Sequence, residues 1–242
     1  MLEAVGLLEV DLEEEVEEVG NTSMNLIEMI ERYQLMVAVR TETPEKAYHA
    51  AVACIKGGIR LVEITFSVPG AEEVIRELNE KTKACIGAGT ILSISDLKKA
   101  LKAGARYIVS PHLSEEIVKS TKKEGAVSIP GACTPTEIYR AYRSGGDIIK
   151  LFPFVEMGGL NFPRAIRGPM PFVRFMLSGG VNLNNISEYL SAKASCILIG
   201  SSILKKEFVN EENWDAISDL ARKFAVKIEN SSFPKRNPTE KV

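Results

Sequence analysis

A lysine lies in the middle of an apolar run in the segment DIIKLFPFVEMGG, residues 147–159. The run has the composition of a short buried strand, and Lys150 stands where such a strand calls for another apolar residue. An unpaired charge is costly to bury, so a lysine here needs either contact with water or a chemical use. Burial disfavours the charged form of an amine, and the free amine is the nucleophile that attacks a ketone. Lys150 is therefore a candidate Schiff-base lysine; the alternative is an edge-strand lysine whose ammonium group reaches water.

A carboxylate interrupts a second apolar run, LVEITF, in the same way. Glu63 could be a structural residue that forms an ion pair with Arg40 or Lys150. A carboxylate shielded from water could instead move protons in carbonyl chemistry, because burial brings its pKa closer to the working pH. A lysine and a glutamate on two inward-pointing strands fit carbonyl chemistry better than either residue alone.

Two small-residue loops, MLSGGVN and LIGSSI, follow the last two apolar runs. Small residues let the backbone approach a ligand closely, and successive N–H groups in such loops bind phosphate. The pair of loops predicts a phosphate site, although a single Gly-Gly turn would be weak evidence. The segment GAGT, residues 87–90, lacks the spacing of a dinucleotide fingerprint. Thr90 is better interpreted as a hydroxyl donor to a substrate carboxylate or hydroxyl.

Eight apolar, β-branched runs carry these residues, and amphipathic helical stretches separate most of them. Continuous apolar strands that alternate with helices indicate a parallel sheet covered by helices. Eight such units within one domain's length predict an α/β fold, a (β/α)8 TIM barrel, over an open doubly wound sheet. The runs are LMVAVR, IRLVEITF, ACIGAGT, RYIVSP, AVSIPGA, DIIKLFP, VRFMLSGG and SCILIGSS.

The predicted organisation has one barrel domain with additions at both ends. We expect an acidic, helical extension over residues 1–34, the barrel over 35–228 and a polar tail over 229–242. A closed barrel has no edge strands, which removes the simplest structural explanation for Lys150. The chemistry of such barrels lies at the carboxyl ends of the strands, where the candidate residues fall.

The composition excludes several classes of function. The 242 residues are 45% hydrophobic and 26% charged, with a net charge of -2, which gives no case for nucleic acid or a membrane surface as partner. No apolar run is long enough to cross a bilayer. The acidic start also lacks the features of a signal or transit peptide. We therefore expect a cytoplasmic protein, unless an upstream presequence directs it to an organelle. The cysteines and histidines are too scattered for a disulfide framework or a metal site, so we expect no metal and no cofactor; they are Cys54, Cys85, Cys133, Cys196, His49 and His112.

From Leu35 to Leu204 the motifs resemble those of one known family in order and spacing. They are VEIT, IGAGTIL, VSPHL, IPGACTPTE, KLFP, VRFMLSGGVN and LIGSSIL. The chain is similar to the class I aldolases that act on 2-keto-3-deoxy-6-phosphogluconate and 4-hydroxy-2-oxoglutarate, the KDPG/KHG aldolases. The resemblance implies a cofactor-free lyase that cleaves a 4-hydroxy-2-oxo acid to pyruvate and an aldehyde such as glyceraldehyde 3-phosphate or glyoxylate. It also implies a homo-oligomer, since members of the family are typically trimers.

The resemblance also assigns roles to individual residues. Lys150 is similar to the Schiff-base lysine and Glu63 to the general acid/base. A second set resembles residues that line the substrate pocket: Arg40, Thr90, Pro111, Thr134 and Phe152. A third set resembles the phosphate-binding loops: Ser178, Gly179, Gly180, Gly200, Ser201 and Ser202.

Two departures from the family's pattern bear on the substrate. Ser67 stands where members specific for the phosphorylated gluconate often have an arginine, and His112 stands where many have glycine. The choice of aldehyde partner is therefore open. Two other functions are also open: a phosphate-sugar isomerase or synthase in which Lys150 only pairs with an anion, and an inactive barrel that binds a phosphorylated ligand or a protein.

Overall fold

The structure, a computed structural model, describes residues 25–231. Its strands all run parallel in one sheet. The strands are β1 Leu35–Val39, β2 Leu61–Thr65, β3 Cys85–Gly89, β4 Tyr107–Val109, β5 Val127–Ile129, β6 Gly131–Ala132, β7 Ile149–Leu151, β8 Phe175–Ser178 and β9 Cys196–Ile199. The helices are α1 Leu26–Tyr33, α2 Pro44–Lys56, α3 Ala71–Lys81, α4 Ile94–Lys102, α5 Glu115–Lys123, α6 Pro135–Arg143, α7 Asn161–Arg167, α8 Ile186–Ser191, α9 Lys206–Asn210 and α10 Trp214–Glu229.

The sheet closes on itself through the segment 127–132. Its strand order begins at β5 and ends at β6, and only Pro130 separates these two strands in the chain. The Ser110 N–H donates to the Ile129 carbonyl at 3.1 Å on one side, and the Lys150 N–H donates to the Pro130 carbonyl at 2.9 Å on the other. Proline has no N–H to donate, so the ladder of backbone hydrogen bonds is interrupted at this residue while the extended backbone continues. β5 and β6 are thus two parts of one strand, and the predicted eight-stranded barrel is confirmed.

Four helices on the barrel's outer face begin with a hydroxyl cap. In α2, α4, α5 and α6 the side-chain oxygen of the preceding residue accepts a hydrogen bond from the N–H three residues later; these capping residues are Thr43, Ser93, Ser114 and Thr134. Such caps satisfy an N–H group that the first helical turn leaves without a partner. They define where each loop from strand to helix ends, and so they fix the length of the loops around the mouth of the barrel.

Helix α1 closes the amino-terminal end of the barrel. Ile30 is fully buried and belongs to the same cluster as Met36 and Leu61, whose side chains point into the barrel. Glu31 is buried as well: its Oε1 accepts from Arg174 Nε at 3.1 Å and from the Ser195 hydroxyl at 2.9 Å. Part of the segment predicted as an extension therefore packs as the floor of the barrel, while residues 1–24 lie outside the described residues.

At its other end the described chain finishes just after α10, and residues 232–242 of the predicted tail lie outside it. None of the helices between residues 25 and 231 has the length and hydropathy needed to cross a membrane. The buried core otherwise follows the predicted periodicity. Cys54, Cys85 and Cys196 are buried free thiols, and Cys133 is a half-buried free thiol.

Replacement of Glu31 by alanine should destabilise the protein. The substitution leaves the Ser195 hydroxyl and part of the Arg174 guanidinium without their partner at a buried position, which typically costs about 2–3 kcal/mol. Urea unfolding should show a lower midpoint with an unchanged slope. Asp219→Ala is the matched control, because it removes an exposed ion pair with Arg222 and should leave the midpoint nearly unchanged. Equal midpoints for the two variants would contradict this role of Glu31.

Candidate active site

Strand alternation places Glu63 and Lys150 inside the barrel. Leu61 and Ile148 lie in the inward-facing core cluster, and side chains two residues apart on a strand point to the same face. Glu63 and Lys150 are therefore the next inward positions toward the carboxyl ends of their strands. Both predicted catalytic residues share one interior, on β2 and β7.

A missing side chain on β3 makes room for Glu63. A Cβ atom placed on Gly89 would lie 1.8 Å from Glu63 Oε1, far inside any permitted contact. The carboxylate therefore occupies the space that a side chain at position 89 would fill. The second glycine of GAGT, Gly89, is therefore needed for this close approach.

Glu63 is buried to 1% exposure, and its Oε2 has no hydrogen-bond partner among the described residues. Burial raises the pKa of the Glu63 carboxyl above its ordinary value, and the positive charges of Lys150 and then Arg40 oppose this rise. A carboxyl group with a raised pKa and an unused oxygen is suited to take up and return protons near neutral pH.

Lys150 lies at the upper edge of the core. The residue is half-buried between the buried Ile149 and Leu151, so it is less enclosed than a position within the packed core would be. Its Nζ lies 5.2 Å from the centroid of the Phe152 ring, which is 45% exposed. The lysine thus faces the open mouth, where a ketone can reach it, with an aromatic ring beside it.

Arg40 and Thr90 meet above Glu63. Arg40 follows β1, Thr90 follows β3, and the Arg40 Nη2 donates to the Thr90 hydroxyl oxygen at 3.2 Å. Thr90 has a φ of 57°, a left-handed conformation that is strained for a β-branched residue. In this conformation the Thr90 hydroxyl is within hydrogen-bonding distance of the Arg40 guanidinium.

A cavity of about 550 Å3 opens beside Phe152, just beyond the end of β7. It lies between the loops that lead into α5 and α6, and its wall includes the predicted pocket residues Pro111 and Phe152 as well as His112 and Arg140. Pro111 is fixed by Gly131, where an added Cβ would lie 2.3 Å from the Pro111 backbone. Lys150 and Glu63 are not part of this wall, so the cavity adjoins the predicted catalytic pair rather than containing it.

Thr134 has a structural role in the fold. Its hydroxyl oxygen accepts from the Glu137 N–H at 3.3 Å, while Glu137 Oε2 accepts from the Thr134 N–H at 3.0 Å, which forms a complete capping box at the start of α6. This contact accounts for the threonine without a substrate, and a role of Thr134 in binding stays a prediction.

The two predicted phosphate loops lie side by side. Gly179 and Gly180 have φ values of 99° and 69°, and a Cβ on Gly180 would lie 2.8 Å from Val155 Cγ2, so both positions require glycine. The Ser178 hydroxyl donates to the Leu151 carbonyl at 3.3 Å, and the Ser202 hydroxyl donates to the Val181 carbonyl. Each serine therefore ties its loop to a neighbouring segment.

In the second loop Gly200 has an ordinary φ, and its carbonyl accepts from the Ile203 N–H at 2.9 Å, while Ser201 is exposed. The structure brings the six residues to one side of the mouth. Phosphate binding by them stays a prediction.

A residue that the sequence reasoning missed is Tyr107, which fills the barrel interior from β4. The available signal was a hydroxyl-bearing aromatic residue in the apolar run RYIVSP. A second signal was the pair of glycines in the preceding strand, which leave interior space that a neighbouring side chain must fill.

A lysine facing the mouth of a (β/α)8 barrel and a buried carboxyl group below it are the groups that an imine-forming, or class I, aldolase requires. The comparisons with known proteins agree. The family model for "KDPG and KHG aldolase" matches residues 26–220. The chain therefore belongs to the KDPG and KHG aldolase family and is a lyase.

Curated relatives and solved structures cover most of the chain. The 2-dehydro-3-deoxy-phosphogluconate aldolase of Treponema pallidum is 32% identical over 82% of this chain and 95% of its own. The KHG/KDPG aldolase of Escherichia coli is 33% identical over 74% of this chain and 84% of its own. The KDPG aldolase of Legionella pneumophila, solved with pyruvate captured as a covalent carbinolamine, superposes with a TM-score of 0.75 at 29% identity, over 81% of this chain and 96% of that one.

Replacement of Glu63 by glutamine should stabilise the protein near neutral pH. Because folding raises the pKa of this carboxyl, ionisation costs stability as the pH rises above the ordinary carboxyl pKa, and the neutral amide avoids that cost. Urea midpoints of wild type and Glu63→Gln should differ at about pH 7 and converge at about pH 3, where the carboxyl group is largely neutral in the folded and the unfolded state. The same difference at both pH values would show that packing, not charge, distinguishes the variants.

Proposed function

We propose that this enzyme cleaves a 4-hydroxy-2-oxo acid to pyruvate and an aldehyde, with Lys150 as nucleophile and Glu63 as general acid and base. The observation that carries the proposal is the Glu63 carboxyl group, which is buried within electrostatic reach of Lys150 and Arg40 and whose Oε2 has no hydrogen bond to any described residue. Such a group is costly to the fold, and proton transfer beside a lysine accounts for its presence.

The reaction begins when the neutral amine of Lys150 attacks the C2 ketone of the substrate and gives a carbinolamine. Glu63 donates a proton to the departing hydroxyl, water leaves, and a protonated imine forms. The imine withdraws the electron pair of the C3–C4 bond as that bond breaks, while the carboxylate accepts the proton of the C4 hydroxyl. The aldehyde departs, an enamine remains, and its C3 is protonated before water releases pyruvate and the free amine.

The neighbouring residues suit the two ends of such a substrate. The guanidinium of Arg40 and the hydroxyl of Thr90 provide charge and hydrogen bonds for the carboxylate of the oxo acid. Phe152 and Pro111 provide apolar surface next to Lys150. Thr134 lies at the start of α6 beside this surface and completes the proposed pocket.

The substrate is either the phosphorylated sugar acid or a smaller oxo acid. The names of the relatives support both, since they describe aldolases for 2-dehydro-3-deoxy-phosphogluconate and for KHG. The loops with Ser178, Gly179 and Gly180, and with Gly200, Ser201 and Ser202, are the proposed site for a phosphate group. Aldehyde products of the proposed cleavage are glyceraldehyde 3-phosphate and glyoxylate, respectively.

The proposed assembly is a homo-oligomer, and specifically a trimer. One structural neighbour, 26% identical with a TM-score of 0.71, is a protein cage designed by fusing symmetric oligomeric domains. This supports self-association of the fold, and sedimentation of the purified protein tests the number of subunits.

The first test is reduction with borohydride in the presence of pyruvate. The imine should be trapped as a secondary amine, with permanent loss of activity and a mass increment on the peptide that contains Lys150. Lys150→Met should give no increment, whereas Lys56→Met, which replaces an exposed lysine on α2, should be trapped as wild type is. Trapping that persists in Lys150→Met would overturn the assignment of the nucleophile.

The same experiment separates the alternative functions. A phosphate-sugar isomerase or synthase, and a barrel that only binds a phosphorylated ligand, form no imine and predict no trapping in wild type. A synthase with this fold, 3-hexulose-6-phosphate synthase, superposes with a TM-score of 0.64 at 17% identity, which concerns the fold alone.

The second test concerns the charge of the substrate. Ser67 is exposed just beyond β2, and its hydroxyl lies 2.9 Å from the Thr65 hydroxyl. Ser67→Arg adds a cation at the mouth without burying it, and one charge-assisted hydrogen bond corresponds to roughly a tenfold gain in affinity. We expect kcat/KM for phosphorylated 2-keto-3-deoxy acids to rise about tenfold relative to unphosphorylated ones. Ser67→Gln is the uncharged control, and unchanged selectivity in Ser67→Arg would remove position 67 from the determinants of specificity.

A further inference from the structure

Tyr107 is an anomaly of the barrel interior. The residue is fully buried, and its ring lies against Gly87, where an added Cβ would come within 2.1 Å of the Tyr107 Cε2. Two residues further along β3, Gly89 gives the same freedom to Glu63. The inward face of β3 is therefore covered by two side chains from its neighbours, a tyrosine from β4 and a glutamate from β2, at successive inward positions.

Both of these side chains carry a polar atom without a partner. The Tyr107 hydroxyl and Glu63 Oε2 are buried, and neither has a hydrogen bond to any of the residues 25–231. A phenylalanine would fill the same space without a buried hydroxyl, so packing alone does not explain the tyrosine. The neutral tyrosine hydroxyl can donate one hydrogen bond, and the glutamate carboxylate, when ionised, can only accept.

The surrounding groups leave few other partners for this hydroxyl. Besides Glu63, the ionisable groups that act on Tyr107 are the thiols of Cys85 on β3 and Cys196 on β9, which are weak hydrogen-bonding groups. Burial, with smaller contributions from these three residues, raises the pKa of Tyr107 well above its ordinary value, so the hydroxyl keeps its proton. It is therefore available only as a neutral donor or acceptor and not as a base.

The groups that face Glu63 from the other sides are cationic. Lys150 on β7 and Arg40 beyond β1 attract the carboxylate toward the mouth of the barrel. Tyr107 on β4 and Cys196 on β9 are neutral groups within electrostatic reach of Glu63. The tyrosine hydroxyl is the stronger hydrogen-bond donor of the two, so it can hold the carboxylate without adding charge.

We infer that Tyr107 is a positioning residue whose hydroxyl donates, through one bridging water, toward Glu63 Oε2 and so orients the carboxyl group for proton transfer. This inference rests on the proposed role of Glu63 as acid and base. The hydrogen bond favours the ionised carboxylate, and it keeps that group pointed at the space above Gly89 while protons move.

The test uses pyruvate alone, so it does not depend on the identity of the aldehyde. An enamine of pyruvate exchanges its C3 protons with solvent, and NMR in D2O follows the loss of the methyl signal. At saturating pyruvate the lysine is already bound as the imine, so the acidic limb of the pH profile reports the proton-transferring carboxyl group. The variants are Tyr107→Phe and, as a matched control that removes a hydroxyl from an exposed tyrosine on α6, Tyr142→Phe.

Loss of the donor should raise the pKa of Glu63, because the ionised form loses a hydrogen bond. The acidic limb of Tyr107→Phe should therefore move to higher pH by about one unit, with a lower plateau rate, while borohydride trapping of pyruvate on Lys150 continues. Tyr142→Phe should retain the wild-type profile. A profile of Tyr107→Phe that coincides with wild type would overturn the inference, and so would a gain in thermal stability, since removing an unpaired hydroxyl stabilises a core.

Failure of the proposed function gives a different result. If the wild-type protein neither exchanges the methyl protons of pyruvate nor is trapped by borohydride, the imine chemistry itself is absent. If wild type does both and Tyr107→Phe matches it at every pH, the aldolase chemistry stands and Tyr107 serves packing alone.

Discussion

A closed barrel has one interior, and each side chain inside it occupies space that a neighbour must leave free. Strand β3 leaves that space at Gly87 and Gly89, and the flanking strands fill it with Tyr107 and Glu63. Because the glycines of β3 leave this space free, the Glu63 carboxyl group can lie deep in the barrel, away from water and within reach of the strands opposite. A methyl group on Gly89 would displace the carboxylate without changing any polar residue of the site.

The pKa of the Glu63 carboxyl group depends on two positive charges carried by different strands of the barrel. Glu63 on β2 is acted on by Lys150 of β7 and by Arg40 beyond β1, against the effect of burial. In the proposed cycle, Lys150 is neutral when it attacks and cationic as the imine. The carboxyl group therefore meets a different field at each step, which favours its neutral form at one point and its ionised form at another.

The fold and the positions of Lys150 and Glu63 inside it could be predicted because both leave a strong mark on the sequence. Eight apolar runs within one domain's length favour a closed sheet, and a charge inside such a run stands out, as Lys150 and Glu63 do. Other features depend on contacts between distant segments. The interruption at Pro130, the placement of α1 beneath the barrel and the packing of Tyr107 on Gly87 each join residues that no local pattern relates. Thr134 illustrates a different difficulty. The family resemblance suggests a substrate-binding role for this residue, but the same threonine caps helix α6, and that structural role explains its presence without a substrate.

Helix α1 gives the barrel a floor, with Ile30 packed inside it and Glu31 fastened to Arg174 and Ser195. The side chains of Ile30, Met36 and Leu61 fill the lower interior, so among the described residues the approach to Lys150 is from the mouth of the barrel. Under the proposed chemistry, pyruvate stays bound to Lys150 as an enamine after the C3–C4 bond breaks. The aldehyde therefore leaves before pyruvate, because only hydrolysis of the imine releases the second product.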